Sequence, residues 1–212
     1  MITESALQAQ SLLRDGDQFS WHIIPMFVVV LYIYFQEIDK GNWNRVIAAL
    51  AFLGMDIFNE IINGIIFSLS DFAPLWATPG NDSAFVLLIG LNIEISMMFA
   101  ITGIAATLAL PSDKDKKILG VNNRLLLACC FAAFSVGVEI MLNAVGALTW
   151  EWPLWNAKFP WFIFLFGYLT FYLMCYWVYD MVSRKNQLKT LLGIYSVNLF
   201  GLGVFGFGLN WL

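Results

Sequence analysis

The chain has 212 residues, of which 60% are hydrophobic, 17% aromatic and only 12% charged, with a formal net charge of −4. A water-soluble domain carries about 45–50% apolar and about 25% charged residues, so this composition belongs to a membrane protein. The 11 basic residues form no Lys/Arg-rich stripe, which excludes a nucleic-acid-binding surface.

In chain order, residues 1–19 lack a basic segment followed by an apolar run, so no cleavable signal peptide is expected there. Thr3 to Leu13 is expected to form a short amphipathic helix on the outer surface. Hydropathy then predicts six spans, at 20–36, 46–68, 84–109, 123–149, 159–182 and 190–211. Each is near or above the roughly 17–25 residues that a bilayer core asks of a helix. The expected fold is all-α: a polytopic membrane protein whose residues 20–212 form one domain, a bundle of six transmembrane helices. Turn chemistry separates the spans at Lys40-Gly41-Asn42, Pro79-Gly80-Asn81-Asp82, Pro111-Ser112-Asp113, Trp152-Pro153 and Arg184-Lys185-Asn186.

Lys40, Arg45, Lys114, Lys116, Lys117, Arg124, Arg184, Lys185 and Lys189 all fall in the first, third and fifth predicted loops. With six crossings, the positive-inside rule puts both termini on the outer side of the plasma or inner membrane. Trp21, Trp76, Trp150, Trp152, Trp155, Trp161 and Trp211 map to that same side as a lopsided aromatic belt. Cys129, Cys130 and Cys175 read as small buried hydrophobes, without metal-ligand or disulfide spacing.

Four carboxyls interrupt the apolar spans: Asp56, Glu60, Glu94 and Glu139. An acid at bilayer depth costs about 2.5–3.5 kcal/mol on insertion scales, so its presence points to function. Asp56, Asn59, Glu60 and Asn63 follow i, i+3, i+4, i+7 and share one helix face. At 1.5 Å per residue, Glu60, Glu94 and Glu139 each lie roughly 12–15 Å from the outer end of their spans. They are expected to meet in a polar cavity in the outer half of the bilayer. Asn59, Asn63, Asn92, Asn143, His22, Tyr168 and Tyr172 are the candidate substrate-binding groups around it. Asn92 and Glu94, two residues apart, cannot both face inward, so one is expected to serve a helix contact. Acids kept from water favour their protonated form, which makes them donors. Interhelical hydrogen bonding is the competing explanation for these polar side chains, and close helix packing for the run Gly201, Gly203, Gly206, Gly208.

The stretch Asp56-Ile57-Phe58-Asn59-Glu60, with the first two spans and their short basic connection, resembles the integral-membrane terpene cyclases of fungal meroterpenoid and indole-diterpene pathways. Those carry Asn-x-x-Trp-Glu in the equivalent helix, and their glutamate is the proton donor. The resemblance implies Glu60 as acid, and a second acidic position near Glu94 in Asn92-Ile93-Glu94-Ile95-Ser96-Met97-Met98-Phe99. It departs from the pattern at Asp56 and Asn59, and the family's seventh helix has no counterpart within the 212 residues.

The resulting expectation is an enzyme performing acid–base chemistry on an isoprenoid- or sterol-like molecule, by cyclisation, isomerisation or hydration. Glu60, Glu94, Glu139 and Asp56 are its catalytic candidates, no cofactor is needed, and membrane lipid and a lipophilic small molecule are the partners. Self-association into a homo-oligomer is compatible with such a chain. Two alternatives stand beside it. Asp56, Glu60, Glu94, Glu139 and His22 offer oxygen-rich ligands for Fe or Mn, although the Glu-x-x-His pairs of carboxylate-bridged di-metal bundles are absent. A proton-coupled transporter or channel would use the same acids as a relay.

Overall fold

The computed structural model describes residues 1–79 and 85–212. Seven α-helices and two small hairpins appear among them: α1 Glu4–Ser11, α2 Ile23–Asp39, α3 Trp43–Ser70, β1 Val86–Leu88, β2 Leu91–Asn92, α4 Ile93–Leu108, β3 Lys117–Ile118, β4 Val121–Asn122, α5 Asn123–Ala144, α6 Thr170–Tyr179 and α7 Arg184–Gly201. A π-helical stretch, Ile163–Leu169, leads into α6, and another, Leu202–Gly208, prolongs α7.

Among the described residues, three helices are both long and apolar enough to cross a bilayer: Trp43–Ser70, Asn123–Ala144 and Arg184–Gly208. This replaces the six-span bundle read from hydropathy. The predicted span 84–109 opens on the β1–β2 hairpin, leaving α4 only 16 residues, and the span 159–182 shrinks to Ile163–Tyr179. At 1.5 Å per residue these reach about 24–26 Å, less than the ~30 Å hydrocarbon core. The 17-residue α2 has the same reach. The placement of both termini outside required an even count of crossings, and it falls with that count. Part of the turn predicted at 79–82 (Gly80, Asn81 and Asp82) lies outside the described residues.

The 28-residue α3 is the axis of the molecule, packed by α4, α6 and α7. Small residues make this possible. A side-chain carbon at Gly103 of α4 would lie 2.6 Å from the Ala49 backbone, so the two helices touch main chain to main chain. Phe52, Phe99, Phe171 and Tyr172 close the core at the junction of α3, α4 and α6, with Phe52 and Tyr172 rings 4.9 Å apart. Of the glycine run in α7, only Gly201 packs on α3, against Ile61; Gly203 has open space beside it.

The two ends of the molecule differ in chemistry. At the basic end, α2 stops at Gly41 in the left-handed region (φ +75°), which only glycine adopts cheaply. Buried Glu37 there accepts hydrogen bonds from Arg45 and, at 2.8 Å, from Asn42, while Arg45 Nε donates to Thr107 Oγ1 at 3.1 Å. Arg124 forks onto Asp180 at 2.9 and 2.8 Å, tying α5 to α6. At the opposite, tryptophan-rich end, α1 buries Ala6 and Ala9 against Phe67, Ala73, Ala77 and Ile89. Both chain ends lie there, Arg14 donating to the Leu212 carbonyl oxygen at 2.8 Å.

Candidate acid–base site

The i, i+3, i+4, i+7 stripe of α3 turns inward. Asp56 and Glu60 are 4% and 2% exposed, and Asn63 is fully buried. Asn63 sits one turn beyond Glu60 and acts on the loop that follows α3. Its Oδ1 accepts from the Leu75 and Trp76 backbone N–H groups (2.7 and 3.4 Å), and its Nδ2 donates to the Trp76 carbonyl (2.8 Å). This clamp holds Trp76 over α3, where the indole Nε1 donates to Glu60 Oε1 at 2.5 Å. Gly90, in the β1–β2 turn, makes the room. A side-chain carbon there would lie 2.3 Å from Trp76 Nε1 and 2.9 Å from Asn63 Nδ2. Trp155 stacks on Trp76 with centroids 5.4 Å apart, closing the far side.

Glu139 enters from α5. Tyr168, in the π-helical stretch before α6, donates its hydroxyl to Glu139 Oε1 at 2.7 Å and lies parallel to Phe99 at 6.2 Å. Widened π turns leave backbone groups poorly paired and recur at functional sites. Here Asn59 Nδ2 reaches across from α3 to the Phe166 carbonyl at 3.0 Å.

Asp56, Glu60 and Glu139 therefore line one cavity, with Asn59, Trp76, Phe99, Trp155 and Tyr168 among its walls. Its volume is about 50 Å³. One water needs roughly 10–15 Å³ on this measure, so a few waters or one small functional group fit. Asp56 Oδ2, Glu60 Oε2 and Glu139 Oε2 are buried without a protein hydrogen-bond partner among the described residues. No Lys or Arg stands in the lining to neutralise them. On one flank, the 44%-exposed Met98 of α4 and the half-buried Leu142 of α5 form the wall where these two helices barely touch.

Other predicted members lie elsewhere. Glu94 does not reach the cavity: its Oε1 pairs with His22 Nε2 at 2.8 Å, joining the starts of α2 and α4. The expected meeting of acids from three helices is thus a meeting of two acids from α3 with one from α5. Asn92 caps α4, its Oδ1 accepting from the Ile95 N–H at 2.8 Å. Asn143 ends α5, donating to the Leu148 carbonyl at 2.9 Å. Tyr172 shares a 2.9 Å hydrogen bond with Ser135 and packs in the aromatic core rather than on the cavity. The residues that sequence reasoning passed over are Trp76, Trp155 and Gly90; the tryptophans look like interfacial belt residues, and Gly90 carries no signal in hydropathy.

Among the described residues no group of three or more His, Cys, Asp or Glu side chains is gathered closely enough to hold an ion. His22 and Glu94, two of the five residues proposed for Fe or Mn, are paired together away from the cavity.

The chain has relatives in Archaeoglobus fulgidus. One, described as an uncharacterized protein, is 49% identical over 212 residues and is matched along 100% of both chains. A second uncharacterized protein of that organism is 45% identical over 53 residues, covering 25% of this chain and 95% of its own. No solved structure matches the chain. Long apolar helices and buried carboxyls mark a helical membrane protein. The sequence model of an uncharacterized membrane protein family matches residues 3–207, and the chain belongs to that family.

Proposed function

We propose that the cavity is an acid–base centre acting on one reacting group of a lipophilic, isoprenoid-like molecule. The observation that carries this reading is three carboxyls, each with an unpartnered buried oxygen, facing one small cavity with no cation to neutralise them. Glu60 is the proton donor, positioned by Trp76; Glu139, positioned by Tyr168, is the base; Asp56, one turn away from Glu60, is the third carboxyl of the cavity. In an isomerisation, Glu60 protonates one alkene carbon and Glu139 removes a proton from the carbon beside the resulting cation. The substrate's atoms balance and the double bond has moved; Glu60 is left ionised and Glu139 protonated, and the cycle closes when Glu139 releases its proton and Glu60 is recharged. The ring faces of Trp155, Phe99 and Phe171 offer the cation an electron-rich wall.

Size selects among the three reactions. A cavity of about 50 Å³ accommodates a carbon–carbon double bond or a water beside one, not a long chain folded for ring closure. Isomerisation or hydration therefore fits better than cyclisation, although the Asp56–Glu60 stretch resembles cyclases. The substrate's body would remain in lipid, its reacting end passing between Met98 and Leu142.

The purified protein, in liposomes made in D2O with acyclic polyisoprenoid alkenes, is expected to place deuterium in the recovered lipid. Glu60→Gln is expected to lower this by about 10²-fold or more. Incorporation that is absent in the wild type, or equal in the variant, contradicts the reading. The water-sized cavity also suits a second reading, a relay for coupled proton movement. Proton flux across the liposome wall that disappears in Glu60→Gln, with no deuterated lipid, would favour it.

A further inference from the structure

Glu60 belongs to two cavities. Besides the acid–base site, it forms part of the wall of a second space of about 90 Å³ at the tryptophan-rich end. Gln10, Arg14, Ser68 and Asn210 line the second space with it, and Gln10 is exposed at the surface. The acid–base cavity shares none of these four residues. Glu60 is thus the one residue among the described residues that lines both, and it is 98% buried with Oε2 unpartnered.

The second space has a mixed lining, with Leu13, Phe67, Leu88 and Ile89 beside the polar residues, and it is larger than the roughly 10–15 Å³ one water requires. Its roof is α1 and the last residues of the chain: Ser68 Oγ donates to the Trp211 carbonyl and Arg14 to that of Leu212. Gly64 lets the Leu212 side chain close onto α3 at the edge of this space, since a side-chain carbon there would lie 2.3 Å from Leu212 Cδ2.

We propose that this vestibule is a water-binding site through which Glu60 exchanges protons with the aqueous phase. A donor that gives its proton to substrate must be recharged, and in the acid–base reading the substrate itself fills the entrance between Met98 and Leu142. The vestibule supplies a route that does not cross the substrate. Water enters past Gln10, and a proton passes along it to the Glu60 carboxyl, which delivers it into the other cavity. This rests on the acid–base reading for its purpose, but proton access is measurable without turnover.

The test is infrared hydrogen–deuterium exchange of the whole protein in liposomes. The Glu60 carboxyl band is identified as the one that Glu60→Gln removes. With Cys129, Cys130 and Cys175 replaced by Ala, Ser68→Cys is treated with a charged methanethiosulfonate. The Glu60 band is expected to lose its fast exchange phase after treatment. Gln10→Cys, on the surface of α1, provides the same block without disturbing α3. Ile62→Cys, 37% exposed on the same helix and absent from both cavities, should leave exchange unchanged. Unchanged Glu60 exchange in both blocked variants overturns the vestibule and leaves the acid–base site untouched.

Discussion

Asn63→Ala is expected to be the most damaging single change at the site end, lowering stability by about 3 kcal/mol or more. The side chain is fully buried and serves three backbone groups: the N–H of Leu75 and both the N–H and carbonyl of Trp76. Alanine leaves them without that partner, and a buried unsatisfied group costs about 1–3 kcal/mol. The loop that carries Trp76 would then come free of α3, taking the indole from Glu60. The check is a lowered unfolding midpoint in detergent together with a tryptophan emission shift toward solvent-exposed values. Asn63→Asp, which keeps the accepting oxygen, should lose less. A variant as stable as wild type would remove the clamp from the account.

At the basic end, Arg45→Met is expected to cost about 3 kcal/mol, the lower part of the range for breaking a buried ion pair. The change leaves Glu37, only 5% exposed, with Asn42 and the more distant Lys40, 3.4 Å away, as partners. Glu37→Met combined with Arg45→Met should recover part of the loss, because an apolar pair of similar volume strands no charge. The wild-type pair also predicts a pH dependence. Burial pushes the Glu37 carboxyl up, but the hydrogen bonds from Arg45 and Asn42 outweigh it and hold the group below its ordinary value of 4.5. A carboxyl lowered on folding contributes its stability above the unfolded value and loses it as pH falls through the folded one. Unfolding midpoints should therefore drop below about pH 4.5 in the wild type, and this part of the drop should vanish in the double variant.

The parts of the site legible before the structure are those governed by one local rule. Helical periodicity was enough to put Asp56, Asn59, Glu60 and Asn63 on one face, because side-chain direction in a continuous helix depends only on spacing. The place of Glu139 on the cavity agrees with its depth in the span. Glu94 and Asn92 show where that reasoning stops. Both lie at the start of α4, where the chain leaves a hairpin, so no helix phase exists upstream to orient them. Hydropathy also cannot tell an apolar β-hairpin from a helix turn. Val86–Leu88 and Leu91–Asn92 are greasy enough to be counted as membrane span, which accounts for one of the three crossings that the structure removes. Trp76 and Gly90 were hidden for a different reason: their roles exist only after Asn63 has fastened one loop and the hairpin has closed over it.

The central claim is that the acids of α3 and α5 face each other across one small cavity. Infrared difference spectra of the carboxyl region measure this directly. If Glu60 and Glu139 share that space, Glu60→Gln should remove its own band and also shift the Glu139 band, and Glu139→Gln should shift that of Glu60 in return. Each band disappearing alone, with the other unmoved in position and in titration, would mean two separate acids and no common site.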